Sequence, residues 1–225
     1  VGSVKIICTK ETLPILSRKF PSVLKVEINN ISFLKSFLKK ERKTTMVALA
    51  GPGAGKNSRT MKFTEEILKY IKYVILDADS LNSFQEKTKK LLKYLDKSKL
   101  ITPHQAEFHR LFPSIKKSLS NKEKVSKFLK VCKSNILLKG NTTVIGSPDK
   151  IVINKHTSSE LAVIGSGDVL AGIITSLVGK KKMSLNEAAS AATWLHSDIA
   201  KRHGRGLISE DLVKGIPSAL QRLKK

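Results

Sequence analysis

The chain is 225 residues long and 40% hydrophobic, enough to build one large cored domain, which excludes a disordered basic tail as its main character. Its 42 Lys+Arg against 18 Asp+Glu leave a net charge of +24, a surplus suited to nucleic acid, an acidic membrane face or phosphate-bearing small molecules. That surplus is lysine, 35 residues against 7 arginines, without the planar fork that specific phosphate readout favours, so a solvated lysine-rich surface is the plainer account.

In chain order, β-branched runs at residues 4–8, 23–28, 46–50, 73–77, 136–139, 143–145 and 151–153 read as strands, alternating with segments of helical period. The first run is a short apolar strand rather than a secretory leader. Leu81, Phe84, Thr88, Leu91, Leu92 and Leu95 are spaced by three and four, which predicts one amphipathic helix with lysines opposite. Val125, Phe128, Leu129 and Cys132 predict a second. The last 60 residues read as mostly helical, with Ala188, Ala189, Ala191 and Ala192 allowing close packing near Trp194. This rhythm is that of an α/β protein with a mostly parallel central sheet, and no repeat or change in composition divides the chain, so residues 1–225 read as a single domain.

Cys8 and Cys132 have neither zinc nor disulfide spacing and sit in apolar runs, as buried reduced thiols of a cytoplasmic protein would. The longest uncharged apolar stretch, 169–179, is short of the roughly 20 residues a membrane span needs. Lysine clusters at 39–40, 89–90, 116–117, 180–182 and 224–225 lack the interleaved aromatic residues of a stacking platform. Neither a specific nucleic-acid partner nor a membrane is expected.

Ala50-Gly51-Pro52-Gly53-Ala54-Gly55-Lys56-Asn57 invites a P-loop reading but lacks that motif's first glycine and its Ser/Thr after the lysine. Two readings stay open for it: glycines that let backbone amides approach a ligand, or a tight turn capped by Asn57. Gly165-Ser166-Gly167-Asp168 precedes an apolar helical run. Its glycines free the backbone where a helix begins, which makes a hole for an anion, with Asp168 in the first turn placed to act as a base on a hydroxyl. Three further segments add polar groups at strand ends. Asp77-Ala78-Asp79-Ser80-Leu81-Asn82 offers two carboxylates and an amide. Thr102-Pro103-His104-Gln105-Ala106-Glu107-Phe108 follows a strand end at Ile101 and opens a helix. Leu138-Lys139-Gly140-Asn141-Thr142-Thr143 reads as a hairpin turn carrying an ammonium and two hydroxyls.

In that order the segments resemble the Gly-Pro-Gly-x-Gly, Asp-Ala-Asp-x-Leu-Asn, Thr-Pro-His-x-x-Glu-Phe, Lys-Gly-x-x-Thr and Gly-Ser-Gly-Asp-Val-Leu-Ala-Gly elements of the NAD(P)H-hydrate dehydratase family, a ribokinase-like group. The resemblance extends through Trp194-Leu195-His196 to Ile208-Ser209-Glu210-Asp211-Leu212. It implies a three-layer α/β/α fold and a metabolite-repair lyase that returns hydrated NADH or NADPH to NAD(P)H, with ADP or ATP as phosphoryl donor and Mg2+ carried on the nucleotide. It further implies that Lys139, Gly140, Asn141, Thr142, Thr143 and Gly167 hold the adenine nucleotide. Gly53 or Gly55, His104 and Asp168 would meet the hydrated substrate, Asp168 as base, with Asp77, Asp79, Asn82, Gly165 and Ser166 in support. A homotetramer is implied as well. His109, His156, His196 and His203 have no such support for a role in the site and read as ordinary histidines.

Two departures accompany the resemblance. Family members begin with a Gly-Gly-Ser strand and a Gly-Ala-Pro segment, whereas Gly2-Ser3-Val4 resembles the Gly-Leu-Val of the following strand, so the first strand is expected to be missing. The glycine-rich approach to the anion hole, Thr-Gly-Asn-Pro-Gly-x-Ala-Thr-Gly-Gly, is here His156-Thr157-Ser158-Ser159-Glu160-Leu161-Ala162-Val163-Ile164-Gly165, with Glu160 adding a negative charge. The alternatives are therefore a ribokinase-like small-molecule kinase and a member of the family that has lost catalysis.

Overall fold

The computed structural model describes residues 2–44, 47–180 and 183–223. Met46, at the start of an expected strand, and Lys181, Lys182, Lys224 and Lys225 lie outside them. The chain opens with β1 (Lys5–Cys8), α1 (Leu13–Lys19), β2 (Leu24–Glu27) and α2 (Ile31–Glu41). It continues through β3 (Val47–Ala50), α3 (Ser58–Tyr70), β4 (Tyr73–Leu76), α4 (Ala78–Asn82), α5 (Thr88–Leu92), β5 (Lys99–Ile101), α6 (Gln105–Leu111) and α7 (Asn121–Val131). A hairpin of β6 (Asn135–Leu138) and β7 (Val144–Gly146) leads to β8 (Ile151–Ile153), then to α8 (Ser166–Gly179), α9 (Leu185–His203) and α10 (Ser209–Arg222).

The strands form a six-stranded sheet in the order β3-β4-β5-β6-β7-β8 and a separate pair β1-β2. β3 to β6 run parallel, and β7 and β8 are antiparallel additions at one edge. Side chains of a strand alternate between faces. Val74, Leu76, Ile101, Ile136 and Leu138 thus enter one core with Leu34, Leu68, Phe108 and Phe128 from the helices between β2 and β6 and Phe84 from the turn after α4. Ile75, Leu100, Leu137 and Ile145 enter the other, under Leu170, Ile174, Ala188, Ala192, Leu195 and Leu212 of α8, α9 and α10. This is a three-layer α/β/α architecture with a mostly parallel sheet.

Two expectations about local structure are corrected. The single helix over 81–95 is two short helices, α4 and α5, separated by a turn. The apolar residues still reach the core, with Leu81, Phe84 and Leu91 fully buried. Helical spacing identified the inward face, but the Ser83 hydroxyl donates to the Asp79 carbonyl and the Thr88 hydroxyl to the Leu111 carbonyl, tying the intervening turn down separately. Second, the strand end anticipated at Ile101 is a complete buried strand, β5, that begins with Lys99. Its ammonium is buried yet donates to the Lys72 carbonyl and the Ser98 hydroxyl, and burial pushes its pKa down. Cys132 caps α7 rather than lying within it. Both cysteines are free and buried. No helix among the described residues is long and apolar enough to cross a membrane.

Candidate active site

The parallel register brings four chain segments level at one edge. Ala50 pairs with Leu76, Leu76 with Ile101, and three residues on His104 bridges to Lys139. The glycine turn, the Asp-Ala-Asp segment, the Thr-Pro-His segment and the Lys-Gly hairpin therefore all leave the carboxyl ends of adjacent strands, where open α/β sheets bind ligands.

At the centre, the Lys139 ammonium lies 2.7 Å from Asp77 Oδ1, across 62 residues of sequence. Asp77 is 1% exposed and its Oδ2 has no hydrogen-bond partner among the described residues. Gly167, in the first turn of α8, closes over this pair: a Cβ there would stand 3.2 Å from Lys139 Nζ and 3.9 Å from Asp77 Oδ2. The α8 N-cap, Gly165, is left-handed at φ +83° and brings no side chain to cap the helix, so the first-turn amides and the positive end of the helix dipole face the site. Ser158 caps a short 3₁₀ turn at Ser159–Leu161 that carries Glu160, and the Ser166 hydroxyl donates to the Leu161 carbonyl. Ile164, beside the hole, is almost wholly exposed.

Asp168 stands at the rim. Its carboxyl is raised above the ordinary value, first by partial withdrawal from water and then by the Asp77 charge, with Asp79 and Glu107 adding to it and Lys139 opposing. Because the side chain is itself exposed, the neighbouring carboxylates are the firmer cause. The pit thus holds Asp77, Asp79, Glu107 and Asp168 against one ammonium, a local acidity opposite to the charge of the whole chain.

The glycine turn follows the second of the two readings, a tight turn capped by Asn57. Asn57 caps α3 by accepting from the Thr60 amide at 2.9 Å. Gly51 is fixed by packing, since a Cβ there would lie 1.7 Å from the Asp77 carbonyl oxygen. The Gly55 amide is not free for a ligand: it donates to Asp79 Oδ2 at 2.8 Å. Gly53, at φ +66°, has open space around it. Asn82 is likewise engaged, donating to Glu107 Oε1 and accepting from Arg110.

His104 is the N-cap of α6. Its Nδ1 accepts from the Ala106 and Glu107 amides, while Glu107 Oε2 accepts from the His104 amide. That pairing assigns the ring proton to Nε2. Burial lowers the imidazole pKa against the pull of Glu107, so a neutral ring with a donor Nε2–H borders the pit.

Sequence reasoning gave no role to the residues that hold the hairpin. Gln105 donates to the Lys139 carbonyl at 3.1 Å and accepts from the buried Lys124 ammonium at 3.0 Å, and the Asn121 amide donates to the Thr142 carbonyl. Gln105 could have been suspected from its place after His104, but Asn121 and Lys124 carry no sequence signal. His196, on α9, is buried beside the Ser166 backbone, and burial drives its pKa down to about 4.

A model of the NAD(P)H-hydrate dehydratase family matches residues 1–218. The chain belongs to that family. The bifunctional NAD(P)H-hydrate repair enzyme Nnr of Archaeoglobus fulgidus is 31% identical over 204 residues, covering 89% of this chain but 39% of the relative. The chain thus spans about two fifths of that relative's length. Two solved structures share the fold: a ribokinase-like superfamily protein from Enterococcus faecalis, at TM-score 0.84, 20% identity and coverage of 98% and 77% of the two chains, and the ADP/ATP-dependent NAD(P)H-hydrate dehydratase of Bacillus subtilis crystallised with ATP and Mg2+ and soaked with CoA, at TM-score 0.76, 22% identity and coverage of 99% and 82%.

Proposed function

We propose that this chain, acting as one catalytic domain, dehydrates hydrated NADH and NADPH with ADP or ATP as phosphoryl donor. The observation that carries the reading is the convergence of Gly167, the Lys139–Asp77 pair and Asp168 at one helix N-terminus, in a member of this family. The nucleotide's terminal phosphate lies against the α8 amides, with its adenosine along Lys139, Gly140, Asn141, Thr142 and Thr143. The substrate's ring hydroxyl faces Asp168, with Gly53 and the His104 Nε2–H on its other side. Asp168 takes the hydroxyl proton as the oxygen attacks the terminal phosphorus, and the nucleotide leaves one phosphate shorter. The carbon–oxygen bond then breaks with loss of inorganic phosphate, and loss of a ring proton restores the double bond. Positioning and electrostatics do most of this work. The raised pKa of Asp168 suits a base whose proton affinity is matched to a hydroxyl.

Among the described residues no three His, Cys, Asp or Glu side chains converge as a metal cage. Mg2+ fits as an ion carried by the phosphates, as is usual for this metal, and it would offset the local acidity of the pit. Free thiols and pyridine-nucleotide substrates suit the cytoplasm. Exposed Val213, Leu220 and Leu223 on and beside α10 offer an apolar face for self-association into the homotetramer.

The test is a coupled measurement. Hydrated NADPH with ADP or ATP is expected to regain the absorbance of NADPH and release inorganic phosphate in equal amounts, and Asp168→Asn is expected to abolish turnover while nucleotide still binds. A stable phosphorylated product would make the protein a kinase instead. Nucleotide binding without recovered absorbance would refute the reading.

A further inference from the structure

The six-stranded sheet ends on β8, whose outer side carries no further strand among the described residues. Its hydrogen bonding fixes which backbone groups are left over. Val152 pairs with Ile145, and the flanking bonds run from the Ser147 amide to the Lys150 carbonyl and from the Asn154 amide to the Thr143 carbonyl. In an antiparallel pair, residues that bond inward alternate with residues whose N–H and C=O point away. Residues 150, 152 and 154 therefore bond toward β7, and Ile151 and Ile153 present two amides and two carbonyls outward.

Such an edge is a template for another strand, and native sheets usually blunt it with a charge, a proline or a bulge within the strand. β8 has none of these: it reads Ile-Val-Ile, β-branched throughout, with Ile153 38% exposed. Its charges sit at the two ends and differ in sign, Asp149 in the turn before it and Lys155 beyond Asn154, both exposed. Lys150 falls on the other face of the strand by alternation. An edge with opposite charges at its ends is complementary to its own reverse, which favours a second copy of this chain over an unrelated strand.

We infer that β8 is a self-association edge: two copies pair their β8 strands antiparallel about a twofold axis at Val152, joining the two sheets into one. In that register Ile151 exchanges both hydrogen bonds with the partner's Ile153, and Ile153 with the partner's Ile151, so every outward group of the strand is used. Val152 meets the partner's Val152 as a non-hydrogen-bonded pair, the closer kind, and the isoleucines form β-branched cross-strand pairs. The turn at Asp149 comes beside the partner's Lys155. A slip of one residue would set outward groups against inward ones, and a slip of two would separate Asp149 from the partner's Lys155. The contact is distinct from the α10 face and does not depend on the proposed catalysis. Two different twofold contacts are what a closed tetramer of dihedral symmetry requires.

The test is light-scattering mass measurement of the wild type and of Ile153→Pro at about 0.15 M salt, where screening limits the repulsion between two copies of charge +24. Proline at 153 removes an outward N–H and no bond to β7, so the fold is expected to survive, as circular dichroism checks. The wild type is expected at an even number of chains and the variant at half that mass, whether or not α10 also pairs. Charge reversal reads the register: Asp149→Lys is expected to weaken the association, and Asp149→Lys/Lys155→Asp to restore it. Val152→Cys is expected to cross-link two chains under oxidised glutathione, with the buried Cys8 and Cys132 uninvolved. A single-chain wild type, or a mass that Ile153→Pro leaves unchanged, would overturn the inference. So would a charge-swapped double variant no better associated than Asp149→Lys, or a Val152→Cys protein that stays uncrosslinked.

Discussion

Acidification should weaken this fold through His196 in particular. The imidazole is 4% exposed under the α8 N-terminus, and its Nε2 has no hydrogen-bond partner among the described residues. Burial, the dominant cause, and the Lys139 ammonium lower its pKa, while the Ser166 backbone acts the other way, leaving it at about 4. In the unfolded chain an ordinary histidine titrates near 6.5. A depressed histidine makes the native state resist protonation, so the unfolded state gains protons first as pH falls. Stability is therefore whole above about pH 6.5 and is lost progressively toward pH 4, by about 2 kcal/mol at pH 5 and about 3 kcal/mol at pH 4. Other groups titrate over the same range, so the measurement is a difference. Urea unfolding free energies are taken from pH 7.5 to 4.5 for the wild type and for His196→Gln. Whatever the variant's starting stability, its curve should be flatter by about 2 kcal/mol across that window. Parallel curves would refute the reasoning, since they would mean that the native imidazole takes up its proton as readily as the unfolded one.

Two further outcomes follow from the pit. Lys139→Met should destabilise the protein by about 3 kcal/mol, because it leaves the buried Asp77 charge without its partner; urea titration measures this, and Asp77→Asn in the same background should recover part of the loss. The glycine turn should respond unequally to alanine. Gly51→Ala drives a Cβ into the Asp77 carbonyl and should abolish folding as read by circular dichroism, whereas Gly53→Ala meets no atom within 4 Å and should cost only the left-handed penalty of about 1–2 kcal/mol.

Much of the candidate site could be read from the sequence because its parts are local. Gly165-Ser166-Gly167-Asp168 before an apolar run dictates a helix start with free amides, and the glycines and cap of residues 51–57 dictate a turn, whatever the rest of the chain does. The alternation of short apolar runs with helical spacing likewise reported the layered α/β fold, since burial on both faces of a parallel sheet leaves that pattern. Periodicity records which residues face inward, however, and not whether the backbone between them is continuous. That is why the run from Leu81 to Leu95 turned out to be two helices, and why a strand opening with a buried lysine, Lys99, was seen only at its end.

Tertiary structure decided the couplings. Only strand register could set Lys139 against Asp77, spend the Gly55 amide on Asp79 and lock Asn82 between Glu107 and Arg110, because these pairs are 24 to 62 residues apart. The charge shows the same division. Composition alone assigns no location to a surplus of +24. The fold gathers Asp77, Asp79, Glu107 and Asp168 around a single lysine in the pit. Composition counts charges, but folding determines which of them share a dielectric and a distance, and those two quantities set what the charges can bind.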